Sequence, residues 1–218
     1  MRTLRLLALL ALAAAPTWAA AQASTRPDAF AVIEAAGADY QKRSAGLCSE
    51  FRQTLTVPLL GEERNGRGRL CSRTPGFFAM RFAEPAGDLL VADGTWFWMY
   101  TPSTDKKQVL KWRLNQGPRG VDFYREFLEQ PRQKYRAEYK ARETIDGKAT
   151  HHVVLTPLAA APYRSADLWF DVTGSALRRI RIQEENGSVR TITLGASAAP
   201  PQGVFSFSPP AGSQVITR

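Results

Sequence analysis

The stretch from Pro75 to Pro102 limits the fold more than any other, because turn residues divide it into three short apolar runs. In a strand, side chains alternate between the two faces, so Phe78, Met80 and Phe82 share one face of the first run. Asp93-Gly94 separates the second run from the third, and this pair is typical of a tight β-hairpin turn. The stretch therefore predicts three consecutive antiparallel strands.

The third of these runs is apolar on both of its faces. Trp96, Trp98 and Tyr100 fall on one face, and Phe97 and Met99 fall on the other. A sheet with one face in water would carry polar residues on that face. We therefore expect apolar material to cover each face of this strand, either helices or a ligand.

The first 23 residues predict a cleaved secretory signal peptide. Arg2 and Arg5 precede an apolar run over residues 6–15, and the small residues over 19–23 offer a cleavage site. The apolar run is too short to span a bilayer as a helix, which disfavours the alternative of a membrane-anchored N-terminus. We expect residues 24–218 to form a single domain that is exported to a bacterial periplasm.

The basic charge of the chain admits several partners. Removing residues 1–23 takes away Arg2 and Arg5 and no acid, so the net charge falls from +9 to about +7. Such a charge could favour anionic membrane surfaces or nucleic acid. The basic residues are scattered, however, and no stacking motif of RNA-binding sheets is present. A solvated basic surface is therefore predicted rather than nucleic-acid binding.

The cysteines and histidines give no catalytic or metal-binding pattern. Cys48 and Cys71 are an even pair in an oxidising compartment, which leaves open a disulfide or two separate buried thiols. His151 and His152 are neighbours in a strand-like run, so they project to opposite faces and cannot share a metal. No phosphate loop, nucleophile elbow or zinc motif is present. We expect no cofactor and no enzymatic activity.

Hydrophobic periodicity predicts a mainly β domain with two principal helices. An amphipathic helix is predicted over 27–45, and a second over 121–130, where Phe123 and Phe127 belong to one apolar stripe. About ten strand segments follow one another at hairpin spacing, with polar connections at 61–68 and 115–120. This pattern favours one curled antiparallel sheet with the helices gathered on one face.

The aromatic residues of the predicted concave face have two interpretations. That face would carry Phe78, Met80, Phe82, Leu90 and Trp98 beneath helices with aromatic stripes, which would suit a lipid-binding cleft. The same residues could equally fill an ordinary core, which is the commoner use of aromatic side chains.

The central stretch resembles the signature of the LolA-type periplasmic outer-membrane lipoprotein carrier family. The positions that match are Pro75, Phe78, Met80, Pro85, Leu90, Val91, Asp93, Gly94, Trp98, Tyr100 and Pro102. Further matches along the chain are Phe51, Gln53, Gly68, Leu70, Leu155-Thr156-Pro157 and the closing run Phe205-x-Phe207-x-Pro209-Pro210-x-Gly212. Their order and spacing cover almost the whole mature chain.

The resemblance implies a fold, a function and a set of site residues. The fold would be an incomplete, strongly curled antiparallel β-barrel with helices forming a lid over an apolar cavity. The function would be to shield the acyl chains of lipoproteins and carry them from the inner to the outer membrane. The implied cavity residues are Phe51, Phe78, Met80, Phe82, Leu90, Trp98 and Tyr100. The implied lid residues are Ile33, Tyr40, Phe123 and Phe127.

Two positions depart from the family pattern. The family usually places an Arg immediately before Pro75, where it ties the sheet to the lid, but this chain has Thr74 there and Arg73 one residue earlier. In a regular strand Arg73 would project from the opposite face, so either a bulge rotates it back or the latch works differently. Met80 stands where the family usually has Trp, and its thioether can adapt to irregular acyl chains.

The implied partners are acylated lipoproteins, an inner-membrane lipoprotein-releasing ABC transporter and an outer-membrane receptor. The carrier is expected to be a monomer that contacts membranes transiently. One alternative is a module of the same fold that senses lipid or outer-membrane protein, and another is a carrier of a different lipid. A lipid-modifying enzyme is a weaker third interpretation.

Overall fold

The computed structural model describes residues 26–118 and 121–218, so the predicted signal peptide over 1–23 lies outside the described residues. The helices are α1 (Ala29–Lys42), α2 (Phe123–Leu128) and α3 (Pro131–Lys134). The strands are β1 (Leu47–Val57), β2 (Glu62–Arg73), β3 (Phe77–Glu84), β4 (Leu89–Asp93), β5 (Trp96–Tyr100), β6 (Gln108–Arg113), β7 (Tyr135–Ile145), β8 (Lys148–Pro157), β9 (Tyr163–Asp171), β10 (Leu177–Glu184), β11 (Val189–Ala198) and β12 (Gln214–Thr217). None of these helices is long and apolar enough to cross a membrane.

All twelve strands of the described residues belong to one sheet. From edge to edge the order is β12, β6, β5, β4, β3, β2, β1, β11, β10, β9, β8 and β7. Neighbouring strands are antiparallel, except that β12 runs parallel to β6. The predicted fold class is confirmed, because the chain forms one open, curled, mainly β sheet with few helices.

Two apolar clusters lie on opposite faces of the sheet, and we call these the inner and outer faces. Strand register assigns each residue, since residues that pair across neighbouring strands point the same way. Phe78 pairs with Ala92, and Ala92 pairs with Phe97, and all three belong to the larger inner cluster. Ala79 and Val91 pair in the next row and belong to the smaller outer cluster.

The helices cover the inner face, as the sequence predicts. Asp28 begins α1, where its side chain accepts hydrogen bonds from the backbone N–H groups of Phe30 and Ala31 at 3.2 and 3.3 Å. Gly37 lets α1 approach α2 closely, because a Cβ there would lie 3.2 Å from the Leu128 carbonyl oxygen. The apolar stripe of α1 is therefore buried between α2 and the sheet.

Three elements differ from the sequence prediction. The predicted connection at 61–68 is wrong, because residues 62–68 belong to β2 and pair with β1. Gly68 makes this possible: any side chain there would clash with the Arg81 carbonyl oxygen of β3. The short helix α3 is absent from the prediction. The parallel pairing of β12 with β6 also departs from a purely antiparallel sheet.

The chain between β11 and β12 crosses the outer face as an irregular segment with turns, residues 199–213, which we call the strap. Arg81 fixes it by donating to the Val204 and Ser206 carbonyl oxygens at 3.0 and 2.5 Å. Beneath the strap, a disulfide joins Cys48 of β1 to Cys71 of β2, which face each other in the ladder. The part of the outer face around this disulfide is thus covered by the chain itself.

Candidate functional site

An apolar cavity of about 390 Å³ lies between the inner face of the sheet and the start of α2. Strands β3, β4 and β5 form one wall, and β10 and β11 form the opposite wall. Its lining consists of Met80, Phe82, Asp88, Leu89, Leu90, Met99, Thr101, Pro118, Val121, Phe123, Pro162, Tyr163, Ile182, Glu184 and Arg190. The volume falls within the usual range for small-molecule pockets of about 300–1,000 Å³.

Strand register aligns the apolar side chains of the first wall. Met80 of β3 pairs with Leu90 of β4, and Leu90 pairs with Met99 of β5. Three long, unbranched or singly branched side chains therefore stand side by side on the inner face. Methionine in particular can adapt its shape to an irregular apolar ligand.

An ion pair lies in the wall opposite. The Glu184 Oε1 accepts from the Arg190 Nη2 at 3.0 Å, and both side chains are largely withdrawn from solvent. The Arg190 Nη1 also donates to the Gln53 Oε1 at 3.4 Å. The cavity is thus apolar for most of its surface and carries one charged pair.

The structure divides the predicted cavity residues into three groups. Met80, Phe82 and Leu90 line the cavity. Phe51 and Phe78 lie on the same inner face, but they are fully buried in the core, where Phe51 packs edge-to-face on Phe82 at 5.1 Å. Both interpretations of the aromatic residues therefore apply, core for some and cavity wall for others.

Trp98 and Tyr100 form the third group, and their prediction as cavity residues is wrong. Trp98 pairs with Val91 and Lys111, so it points to the outer face. There both rings pack against Phe207 of the strap at 5.8 Å. The inner positions of β5 are Phe97 and Met99, the residues with which Trp98 and Tyr100 alternate.

The four predicted lid residues all lie in the inner cluster, but only one reaches the cavity. Phe123 of α2 lines the cavity and packs edge-to-face on Phe78 at 6.3 Å. Ile33 and Tyr40 of α1 are buried between α1 and the sheet. Phe127 packs on Tyr135 and Tyr163 at 6.1 and 6.0 Å.

A buried hydrogen bond attaches α1 to the sheet. The Tyr40 hydroxyl lies 2.6 Å from the Ser72 Oγ of β2, and burial raises the pKa of Tyr40 to about 12. The Tyr40 ring also stacks on Tyr124 of α2 at 4.8 Å. Tyr40 therefore joins both helices to the strand.

A second polar cluster attaches α2 to strands β7 and β9. The Glu126 Oε1 accepts from the hydroxyls of Tyr135 and Tyr163 at 2.7 and 2.5 Å. These two hydroxyls lie 2.7 Å apart. Because Tyr163 also lines the cavity, this cluster connects α2 to the cavity wall.

Asp122 caps the start of α2, where its side chain accepts from the Arg125 N–H at 3.3 Å. Burial raises the pKa of Asp122 to about 7, and the nearby Glu129 and Glu126 add to this effect, whereas Arg125 opposes it. The beginning of α2, which borders the cavity, therefore includes a carboxyl group that titrates near neutral pH.

Comparison with known proteins agrees with this geometry. Residues 42–208 match the protein family described as "Outer membrane lipoprotein carrier protein LolA". The chain belongs to this family.

Two relatives in this carrier family are identical to this chain at about a quarter of the aligned residues. An outer-membrane lipoprotein carrier protein of Neisseria meningitidis serogroup B is 24% identical over 181 residues, which cover 79% of this chain and 81% of the relative. A protein of the same description from Shewanella sediminis is 26% identical over 155 residues, which cover 70% and 69% of the two chains. The predicted family is thereby confirmed.

A solved structure shows the same fold. The uncharacterized conserved protein from Thermus thermophilus superposes with a TM-score of 0.53 at 12% identity, covering 87% of this chain and 99% of that one. At this identity the likeness concerns the fold alone.

Neither candidate latch residue reaches the lid. Arg73 pairs regularly with Phe77, so no bulge rotates it inward, and its guanidinium lies over the Phe77 and Phe205 rings on the outer face at 4.1 and 5.1 Å. Thr74 lies in the turn between β2 and β3. In the preceding inner position, Ser72 makes the contact with α1 through Tyr40.

Several lining residues are absent from the sequence prediction. The sequence does carry a signal for Met99. If the hairpin at Asp93-Gly94 has an even number of turn residues, Leu90 lies opposite an odd-numbered residue of β5, Phe97 or Met99, and not opposite Trp98. Ile182, Glu184 and Arg190 carry no such signal. They reach the cavity only because the sheet curls.

The two histidines of β8 lie on opposite faces, as alternation predicts. The two ring nitrogens of His152 lie 2.8 Å from carboxylate oxygens of Glu143 and Asp167, and the His152 ring stacks on Trp169 at 4.2 Å. Burial lowers the pKa of His152, but these two carboxylates outweigh it, so the pKa is raised. His151 instead contacts the Tyr139 hydroxyl at 3.2 Å.

Proposed function

We propose that the mature chain binds the acyl chains of lipoproteins in the cavity beside α2 and carries them through the periplasm, from the inner to the outer membrane. One observation is central: a member of the outer-membrane lipoprotein carrier family has an apolar cavity between its sheet and its helices. Each methylene group exposed to water costs about 0.8 kcal/mol, so an acylated protein needs such a cover to cross an aqueous space.

We propose that α1 and α2 act as the lid. The cavity of about 390 Å³ is near the lower end of the range for ligand pockets, so several acyl chains would need it to enlarge. The Phe123 side chain lies between the cavity and Phe78, and its displacement would open the space beneath α2. Lid contacts would then be exchanged for lipid contacts, as a shift between two populations.

The proposed partners follow the family. Cargo would arrive from an inner-membrane lipoprotein-releasing ABC transporter and pass to an outer-membrane receptor. The chain itself would act as a carrier and not as an enzyme.

Native mass spectrometry of the mature protein with a lipoprotein in acylated and deacylated forms tests the function. We expect a complex with the acylated form alone. Equal binding of the deacylated form would contradict the carrier proposal and favour recognition of the protein portion, as in a sensing or interaction module.

A matched pair of substitutions tests the cavity. Leu90→Glu places a carboxylate in the cavity wall, where we expect acyl-probe affinity to fall about tenfold or more, because the charge would be buried without a partner. Leu60→Glu makes the same change at an exposed position, so affinity should stay within about twofold. A fluorescent fatty-acyl probe measures both, and unchanged affinity of the Leu90 variant would show that acyl chains bind elsewhere.

A further inference from the structure

The outer face of β5 and β6 carries an aromatic and basic surface. Trp96 and Trp98 of β5 stand beside Lys111 and Arg113 of β6, and we call these four residues the tryptophan–cation patch. The Lys111 Nζ and the Arg113 guanidinium each lie 4.3 Å from the centre of the Trp96 ring. Lys111 also lies 5.4 Å from the centre of the Trp98 ring.

Among the described residues, the two cations of the patch have no acidic partner. Within residues 26–118 and 121–218, no carboxylate oxygen lies within 4.0 Å of the charged nitrogens of Lys111 or Arg113. Elsewhere on the sheet, arginines are commonly paired, for example Arg52 with Asp146 at 3.3 Å, Arg67 with Glu84 at 2.6 Å and Arg69 with Glu50 at 2.8 Å. Asp93, at the end of β4, instead accepts hydrogen bonds from the Trp96 backbone N–H at 2.8 Å and the Trp98 indole N–H at 2.7 Å.

The surface near the patch also carries basic and apolar residues. Lys106 and Lys107 are exposed in the loop that joins β5 to β6. On the neighbouring edge strand β12, Val215 is exposed, with 39% of its surface in solvent. The Trp96 indole N–H makes no hydrogen bond to any residue that the structure describes, and its ring is only half-buried.

We propose that this patch binds the anionic phospholipid surface of a membrane. Tryptophan prefers the membrane–water interface, where its ring contacts acyl chains and its N–H contacts polar headgroups. Unpaired lysine and arginine are attracted to anionic headgroups, and each contributes about fivefold to the association with such a surface. The inner face of β5 contributes Met99 to the cavity wall, and Thr101, directly after β5, also lines the cavity. Docking would therefore hold the cavity wall near the membrane.

This proposal is independent of what the cavity binds. A membrane-docking patch would bring the protein to a bilayer with or without cargo. Association with lipid vesicles and uptake of a soluble acyl probe can therefore be measured separately on the same variants.

Sedimentation with lipid vesicles tests the proposal. The mature protein should bind vesicles that mix phosphatidylglycerol with phosphatidylcholine, should bind pure phosphatidylcholine far less, and should dissociate as salt is raised. Tryptophan emission should shift to the blue on binding. Failure of the unmodified protein to prefer anionic vesicles, or binding that is insensitive to salt, would overturn the proposal without the need for any variant.

A matched pair of double variants assigns the binding to the patch. Lys111→Gln with Arg113→Gln should weaken binding to anionic vesicles by about 20-fold or more. Arg142→Gln with Lys148→Gln removes the same charges from exposed positions at the opposite edge of the sheet, and should change binding less than about threefold. Equal losses in the two double variants would mean that net charge alone attracts the protein, which would overturn the assignment.

Discussion

Tyr40 and Ser72 form the contact by which the attachment of α1 to the sheet can be tested most directly. Both groups are buried, and their oxygens lie 2.6 Å apart. Removing either hydroxyl leaves the other without its partner in the core, which costs about 1–3 kcal/mol. We expect Tyr40→Phe and Ser72→Ala each to lower the free energy of unfolding by this amount.

The double variant Tyr40→Phe with Ser72→Ala should lose less than the sum of the two single changes, because no unpaired hydroxyl remains. Urea unfolding of the four proteins measures the coupling, which should be about 1 kcal/mol. Thr74→Ala, in the adjoining turn, is the control and should shift the free energy by less than about 0.5 kcal/mol. Strictly additive losses would show that the two hydroxyls do not stabilise one another.

At the scale of an element, the stability of α2 should depend on pH, because a titratable carboxyl group caps its first turn. Asp122, its capping residue, has a pKa raised to about 7 from an ordinary value of 3.8, chiefly because it is buried. The folded protein therefore holds this proton more tightly than the unfolded chain does. It follows that the contribution of Asp122 to stability is present at low pH, falls as the pH rises from about 4 to about 7, and is constant above that.

Asp122→Asn should remove this dependence, since the amide oxygen can still cap α2 but cannot ionise. We expect the variant to be more stable than the unmodified protein at about pH 8, with the difference shrinking towards about pH 5. Urea unfolding across this range measures it, and hydrogen exchange at Phe123–Leu128 reports on the helix itself. A variant that is less stable at the higher pH would contradict the raised pKa.

The elements also indicate what the sequence could predict. Period-two alternation and the Asp93-Gly94 turn correctly give β3, β4 and β5 and the alternation of side chains within each strand. They do not identify which face is concave, because both are apolar: the strap covers the outer one and the helices cover the inner one. The parity of the Asp93-Gly94 turn, which sets Leu90 opposite Phe97 or Met99, is the further signal needed to assign Trp98 and Tyr100 to the outer face, where they pack under the strap.

Glycine explains a second difference. Gly66 and Gly68 are typical of a polar connection, yet they belong to the middle of β2, where Gly68 allows β3 to approach. Phe51 and Phe82 pair with Gly68 from either side, and their rings meet edge-to-face across it. Local propensity cannot reveal such a strand, because the apolar contacts that stabilise it come from its neighbours.

At the scale of the whole molecule, the apolar cavity and the disulfide lie on opposite faces of the sheet. The inner face has the cavity, whereas the Cys48–Cys71 disulfide belongs to the outer cluster, beside Ala79 and Val91. The ends of the bridged loop are 23 residues apart, so the cross-link restricts the unfolded chain substantially. A loop of this length predicts a stabilisation of about 3 kcal/mol.

We therefore expect reduction of the disulfide to lower the free energy of unfolding by about 3 kcal/mol while acyl-probe affinity changes less than about twofold. Urea unfolding and probe titration, each with and without reductant, measure the two quantities on one preparation. Cys48→Ala with Cys71→Ala serves as the control, because it should respond to reductant in neither assay. The bridge and the cavity lie on opposite faces, so acyl binding should not depend on the bridge. A loss of acyl binding in reduced protein that is still folded would contradict this prediction and would show that the outer face helps to shape the cavity.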